Sequence, residues 1–147
     1  MEDSITERYE KIVKYCDLLD DAGYACYKIF SPADITAVEQ WEQENSAVLP
    51  QELKNWLLLS DGFRMGSSAE LLPLKTICPC DLTGFEEYFV VGGFIGDGSM
   101  LLADKNGVLY EFDHVNGMKE TTFEDFADHW IIQTLEDELF EAGVTQK

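Results

Sequence analysis

Positive charge is what this chain has least of. Ten lysines and arginines stand against 29 aspartates and glutamates in 147 residues, a net charge of −19. That deficit excludes the usual footprint of a nucleic-acid binder, in which clustered cations displace counterions from phosphates. Aromatic residues make up 12% of the chain, but no basic patch exists for them to interleave with. Histidine is scarce: His114 and His129 are the only two, and neither sits in a motif that pairs a nucleophile with a base. Long apolar runs are missing. Stretches such as Trp56 to Leu59 are far too short to cross a bilayer. The opening MEDSITERYEK has no basic region followed by an apolar one, so it does not read as a secretory signal. The expected location is the cytoplasm.

What is present describes a folded protein. Hydrophobic residues reach 46%, enough to build a core despite the charge, and the length suits a single domain over 1–147. The acidity has no single tail as its source. Residues 1–73 carry 14 acidic and 6 basic side chains, and residues 74–147 carry 15 and 4. The folded surface must therefore be negative, which repels nucleic acid and anionic lipid and speeds encounter with basic partners.

Four cysteines, Cys16, Cys26, Cys78 and Cys80, are expected as free thiols in a reducing compartment. The CPC at 78–80 is half of a zinc-type spacing. The other candidate ligands, His114, His129, Cys16 and Cys26, are scattered along the chain, so no metal and no cofactor is expected.

Hydrophobic spacing orders the elements. Ser4 and Glu7 form a capping box ahead of Ile5, Tyr9, Ile12, Val13, Cys16 and Leu19, which recur at helical intervals. Gly23 fits a left-handed cap. Ser31 and Pro32 suit the start of a second helix, with Ile35, Val38 and Trp41 as its apolar stripe. Leu49-Pro50 opens a third, bearing Leu53, Trp56 and Leu57 and stopping at Asp61-Gly62. Beyond Ala69 the pattern becomes strands: 70–77 with Pro73 at an edge or bulge, 87–95, 99–104 and 107–113. Asn106-Gly107 predicts a type I′ hairpin turn, and Asn116-Gly117 marks another. A closing helix starts at Thr122 and carries Phe123, Phe126, Trp130, Ile131 and Leu135. The expectation is an α+β fold: N-terminal helices, a mostly antiparallel sheet of about four to six strands, and a C-terminal helix over one face.

Two stretches invite a site and do not make one. GGFIGDGS at 92–99 has the glycines of a phosphate cradle without its lysine or following helix, and glycines that bend one strand into the next account for it. DKNG at 104–107 fails as a calcium loop because its glycine comes two places early and no glutamate closes it.

The order of these segments resembles the SUKH superfamily, the Smi/Knr-like proteins. ITAVEQWEQENSAVLPQELKNWLLLSDGF resembles its diagnostic segment: an amphipathic helix, a Leu-Pro, a second helix and an Asp-Gly. FIGDGSMLLADKNGVLYEFDH resembles its second block, with Gly96, Gly98, Asp104, Val108 and Tyr110, and TTFEDFADHWI its closing helix. The likeness covers roughly 30 to 135. Many members have Leu-Gly ahead of the Leu-Pro, where this chain has Asn45-Ser46.

The resemblance implies a non-catalytic binding protein. In bacteria it implies an immunity protein that neutralises the toxin domain of a polymorphic or contact-dependent system; in fungi, related domains act as scaffolds in cell-wall regulation. A metal protein or enzyme using Cys78, Cys80 and His114 is the third alternative. Charge adds that the partner should be basic, such as a nuclease toxin domain. The contact residues this suggests are Asp61, Arg64, Glu70, Asp81, Glu86, Glu87, Asp97, Glu111 and Asp113.

Overall fold

A computed structural model of the chain describes residues 4–23, 27–65, 69–94 and 99–144. Its architecture is α+β. The first helix, α1 (Ser4–Asp21), precedes β1 (Tyr27–Ile29), α2 (Ile35–Asn45) and α3 (Gln51–Leu57). The strands β2 (Phe63–Met65), β3 (Ala69–Leu71), β4 (Cys78–Pro79), β5 (Phe89–Phe94), β6 (Met100–Ala103), β7 (Leu109–Asp113) and β8 (Gly117–Thr121) follow. The closing helix runs from α4 (Phe123–Phe126) through a π-helical segment (Ala127–Ile132) into α5 (Gln133–Glu141). Among the described residues, no helix is long and apolar enough to cross a membrane.

The strands form one antiparallel sheet of eight, ordered β1-β2-β3-β5-β6-β7-β8, with β4 also on β5. That exceeds the four to six expected, because β1 to β4 are only two or three residues each and too short to show alternation. β3 pairs with Gly92 to Phe94 and β4 with Phe89 and Val90, so the two lie in succession along the edge of β5 opposite β6. The strand expected over 70–77 is thus broken. Pro73 has no N–H for the ladder, and the chain instead makes a 3₁₀ turn, Leu74–Thr76, before β4. Gly92 permits this crowding, since a Cβ there would lie 2.5 Å from the Glu70 carbonyl oxygen. Gly96 and Gly98 fall outside the described residues.

One face of the sheet is buried under the helices. Phe63, Leu71, Val91, Leu101 and Leu109 meet Ile5, Ile12 and Leu19 of α1, Val38 and Trp41 of α2, and Trp56 of α3 in one core. Trp56 is fully buried, with its ring 5.6 Å from Tyr9, 6.1 Å from Phe63 and 6.0 Å from Phe123. Its indole N–H donates to the Gly62 carbonyl at 3.2 Å, and the Ser60 hydroxyl donates to the same oxygen at 2.6 Å. Gly62 holds φ +103, and a Cβ there would sit 2.8 Å from the Leu71 carbonyl oxygen. The Asp-Gly stop after α3 is therefore a packing requirement.

One helix cap and one turn differ from the expected ones. Asp34, not Ser31, caps α2, accepting a hydrogen bond from the Thr36 N–H at 2.9 Å. Residues 31–33 are instead held by the end of α3: the Ala33 N–H donates to Leu57, and the Asp61 N–H to Ser31. Ser46 ends α2 in the left-handed region, at φ 50 and ψ 45. Asn106 is not among the described residues with positive φ, whereas Gly107 holds φ +88. The β6–β7 turn is therefore not type I′, which needs both residues there. The Asp104 carboxylate sets the turn instead, accepting from the Asn106 and Val108 N–H groups.

Thr122 caps the closing helix as expected, accepting from the Asp125 N–H at 3.1 Å. The wide turn that follows has a packing reason. Ala127, Ile131, Leu135 and Leu139 are all buried, and a spacing of four drifts away from a 3.6-residue period. A π-helical stretch absorbs that drift.

Candidate functional site

The second face of the sheet is filled differently. Val90, Leu102, Tyr110 and Phe112 project there and are covered by the loop 80–88, through Cys80, Leu82, Phe85 and Tyr88. Phe85 stacks edge-on against Phe112 at 5.0 Å, and Tyr88 against Tyr110 at 5.5 Å. The loop closes on itself through Cys80 N–H to Tyr88 O at 2.8 Å, Phe85 N–H to Leu82 O and Tyr88 N–H to Phe85 O, both 3.0 Å. Its apolar side chains point down, so its polar ones face water.

Those polar residues are Asp81, Glu86 and Glu87, all exposed. Glu86 accepts from the Gly84 N–H at 2.8 Å. None of the three carboxylates takes part in an ion pair among the described residues. No lysine or arginine occurs between Lys75 and Lys105, so the local field is uniformly negative.

The remaining contact candidates are dispersed. Asp61 has a structural duty, accepting at 2.7 Å from the Leu74 N–H at the start of the 3₁₀ turn. Arg64 and Glu70 are cross-strand neighbours, with Lys28 next in the same row; two cations and one carboxylate stand there, so the row does not add to the acidic surface. Glu111 faces Lys119 across β7 and β8. Asp113 accepts from the Asn116 and Val115 N–H groups at 2.6 and 2.8 Å. Those bonds, the Asn116 one foremost, hold its carboxyl below the usual range. Asp97 lies outside the described residues. Apart from the Arg64–Glu70 pair, the candidates that share one segment are Asp81, Glu86 and Glu87 of the loop 80–88.

The metal alternative gains no ligand set: among the described residues, no group of three or more His, Cys, Asp or Glu is placed to hold an ion. Cys78 is exposed and Cys80 buried under the loop, while His114 is exposed and lies against the Phe112 ring at 5.5 Å. Cys26 is outside the described residues. His129 is exposed on the closing helix.

Two grooves escaped the sequence reading because each joins elements distant in the chain. The first, of about 450 Å³, lies between α1 and the closing helix. Its floor is a bidentate pair, Arg8 Nε and Nη2 to the two Asp128 oxygens, each 2.9 Å. Arg8 also reaches Glu124 at 3.2 Å. The Arg8 hydrogen bonds pull the Asp128 carboxyl below its usual range. The second, of about 420 Å³, lies between α2 and the 3₁₀ turn. Asp34, Glu44 and Asp61 line it together with Ala37, Trp41 and Lys75.

No family model matches the chain. A stretch of 40 residues is 40% identical to part of the tubulin polyglutamylase complex subunit 2 of Homo sapiens. The match takes in 27% of this chain and 13% of that protein, so the similarity reaches a small part of the relative.

Proposed function

We propose that the chain is a non-catalytic binding protein of the SUKH, or Smi/Knr-like, kind. Its role in this reading is that of an immunity protein, which binds and neutralises the basic toxin domain, such as a nuclease, of a polymorphic or contact-dependent system in the cytoplasm. The observation that carries the proposal is the loop 80–88. It presents Asp81, Glu86 and Glu87 to solvent over a face that the main core does not need. Such a rim accelerates association with a cationic surface and selects against acidic ones. The surface repels nucleic acid and anionic membranes by the same field.

A second reading is an intracellular scaffold or regulator that binds an endogenous partner. It is favoured by the partial likeness to a protein named as a subunit of a complex.

Co-expression separates the two. The chain is produced together with the toxin domain encoded beside its gene, and growth is scored. Rescue by the wild-type chain, lost when Glu86 and Glu87 are changed to lysine, supports immunity. Absence of rescue removes that reading. In that case, salt-sensitive capture of a non-toxin protein from the native host supports the scaffold.

A further inference from the structure

We infer that the groove between α2 and the 3₁₀ turn takes an extended, arginine-bearing segment of a protein partner, a deepening that rests on the basic-partner reading above. The groove is built from one helix face. Asp34, Ala37, Trp41 and Glu44 follow one another at helical spacing along one wall, and Asp61, Leu74 and Lys75 form the other. From 34 to 44 the helix rises about 15 Å, which matches about four to five residues of extended chain.

Its chemistry is divided by depth. The buried Trp41 and Leu74 and the half-buried Ala33 make an apolar floor, suited to the aliphatic stem of a long cationic side chain. Three carboxylates and a single lysine stand at the rim, so the charge it lacks is positive. Each carboxylate is already oriented by one oxygen. Asp34 Oδ1 accepts from the Thr36 N–H, Asp61 Oδ1 from the Leu74 N–H, and Glu44 Oε2 from the Gln40 amide. The second oxygen of each has no protein hydrogen bond among the described residues, and is free to accept from a ligand. A guanidinium fits such an arrangement better than an ammonium, because its planar fork bonds two acceptors at once. Trp41 is held in place by its own indole bond to Ile77 O at 3.3 Å and by edge-on packing against Phe89 at 5.0 Å. The groove is therefore preformed, which lowers the ordering cost of binding.

The probe is the capped peptide Ala-Arg-Ala-Arg-Ala, titrated into the isotope-labelled full chain and followed by amide chemical shifts. Ala-Glu-Ala-Glu-Ala is the control. The expected result is shifts concentrated at residues 33–44 and at Leu74 and Lys75, with none from the control. Ala37→Arg, an exposed helix position, puts a cation in the groove and should weaken binding by about tenfold. Glu44→Ala should weaken it severalfold, and Glu86→Lys with Glu87→Lys by less than about twofold. Circular dichroism establishes that each variant folds. Shifts centred on the loop 80–88, shifts spread evenly over the acidic surface, or undiminished binding by a folded Ala37→Arg variant would each overturn the inference. The basic-partner reading stands or falls separately: a chain that still rescues growth but ignores the peptide refutes the groove alone.

Discussion

The two faces of the sheet solve the burial problem in different ways. On the first, Phe63, Leu71, Val91, Leu101 and Leu109 lie beneath α1, α2, α3 and the closing helix in one extended core. On the second, Leu102 and Phe112 lie beneath a loop whose Phe85 and Tyr88 are themselves half-buried. Helices cover large areas with side chains fixed on several neighbours, whereas a loop covers little and keeps its rim wet. Stability should therefore concentrate on the first face, leaving the second free to carry charge for a partner.

The most forceful way to break this comparison is Trp56→Ala. Trp56 is fully buried against three rings, and its loss should cost about 3–5 kcal/mol in urea unfolding. The matching change on the other face, Phe85→Ala, should cost about 1–2 kcal/mol, because water can fill the space beneath a loop. Equal losses would mean that both faces carry the fold alike.

Ser46→Gly tests the helical side in the opposite direction. Ser46 occupies the left-handed region at the end of α2, where glycine has no Cβ penalty. The variant should gain about 0.5–1 kcal/mol, read as a raised unfolding midpoint.

The smallest effect is acid-dependent. Asp128 is held by Arg8 with a folded pKa below the ordinary 3.8. Its stabilisation is present above that ordinary value and disappears as pH falls through the lower, folded one. The Asp128 side chain is 42% exposed, so solvent screening limits the contribution to about 0.5 kcal/mol. Asp128→Asn should flatten the acid limb of the stability profile below about pH 4 and hardly alter the remainder; an unchanged acid limb would discount the pair.

Legibility followed the length of the pattern. The helices and the long strands β5 to β7 were readable because apolar spacing persists over several turns or alternations. The Thr122 cap was readable from residue chemistry alone, whereas α3 ends at Leu57 with Leu58 as its cap, ahead of the Asp61-Gly62 at which it was expected to stop. Asp34 was missed as a cap because Ser31-Pro32 offers the same local signal, and only the bonds from α3 to residues 31 and 33 decide against it. The type I′ expectation failed because Asn-Gly is compatible with more than one geometry, and the Asp104 side chain selects another. Among the contact candidates, Glu70 and Glu111 read as free acids in the sequence. Register sets each beside a cation, a relation that no single strand reveals. Asp81, Glu86 and Glu87 held together because a loop short enough to be local also carries its own anchors.

We propose that acidic charge on the second face docks a basic protein. The most direct test is titration calorimetry of the chain with the toxin domain encoded beside its gene, at about 0.05 and 0.5 M salt, for the wild type and for Glu86→Lys with Glu87→Lys. The expected result is a stable complex whose affinity falls by about tenfold or more at high salt. The double variant should show a comparable loss at low salt, with folding stability changed by less than about 0.5 kcal/mol. Affinity indifferent to both salt and charge reversal would contradict it.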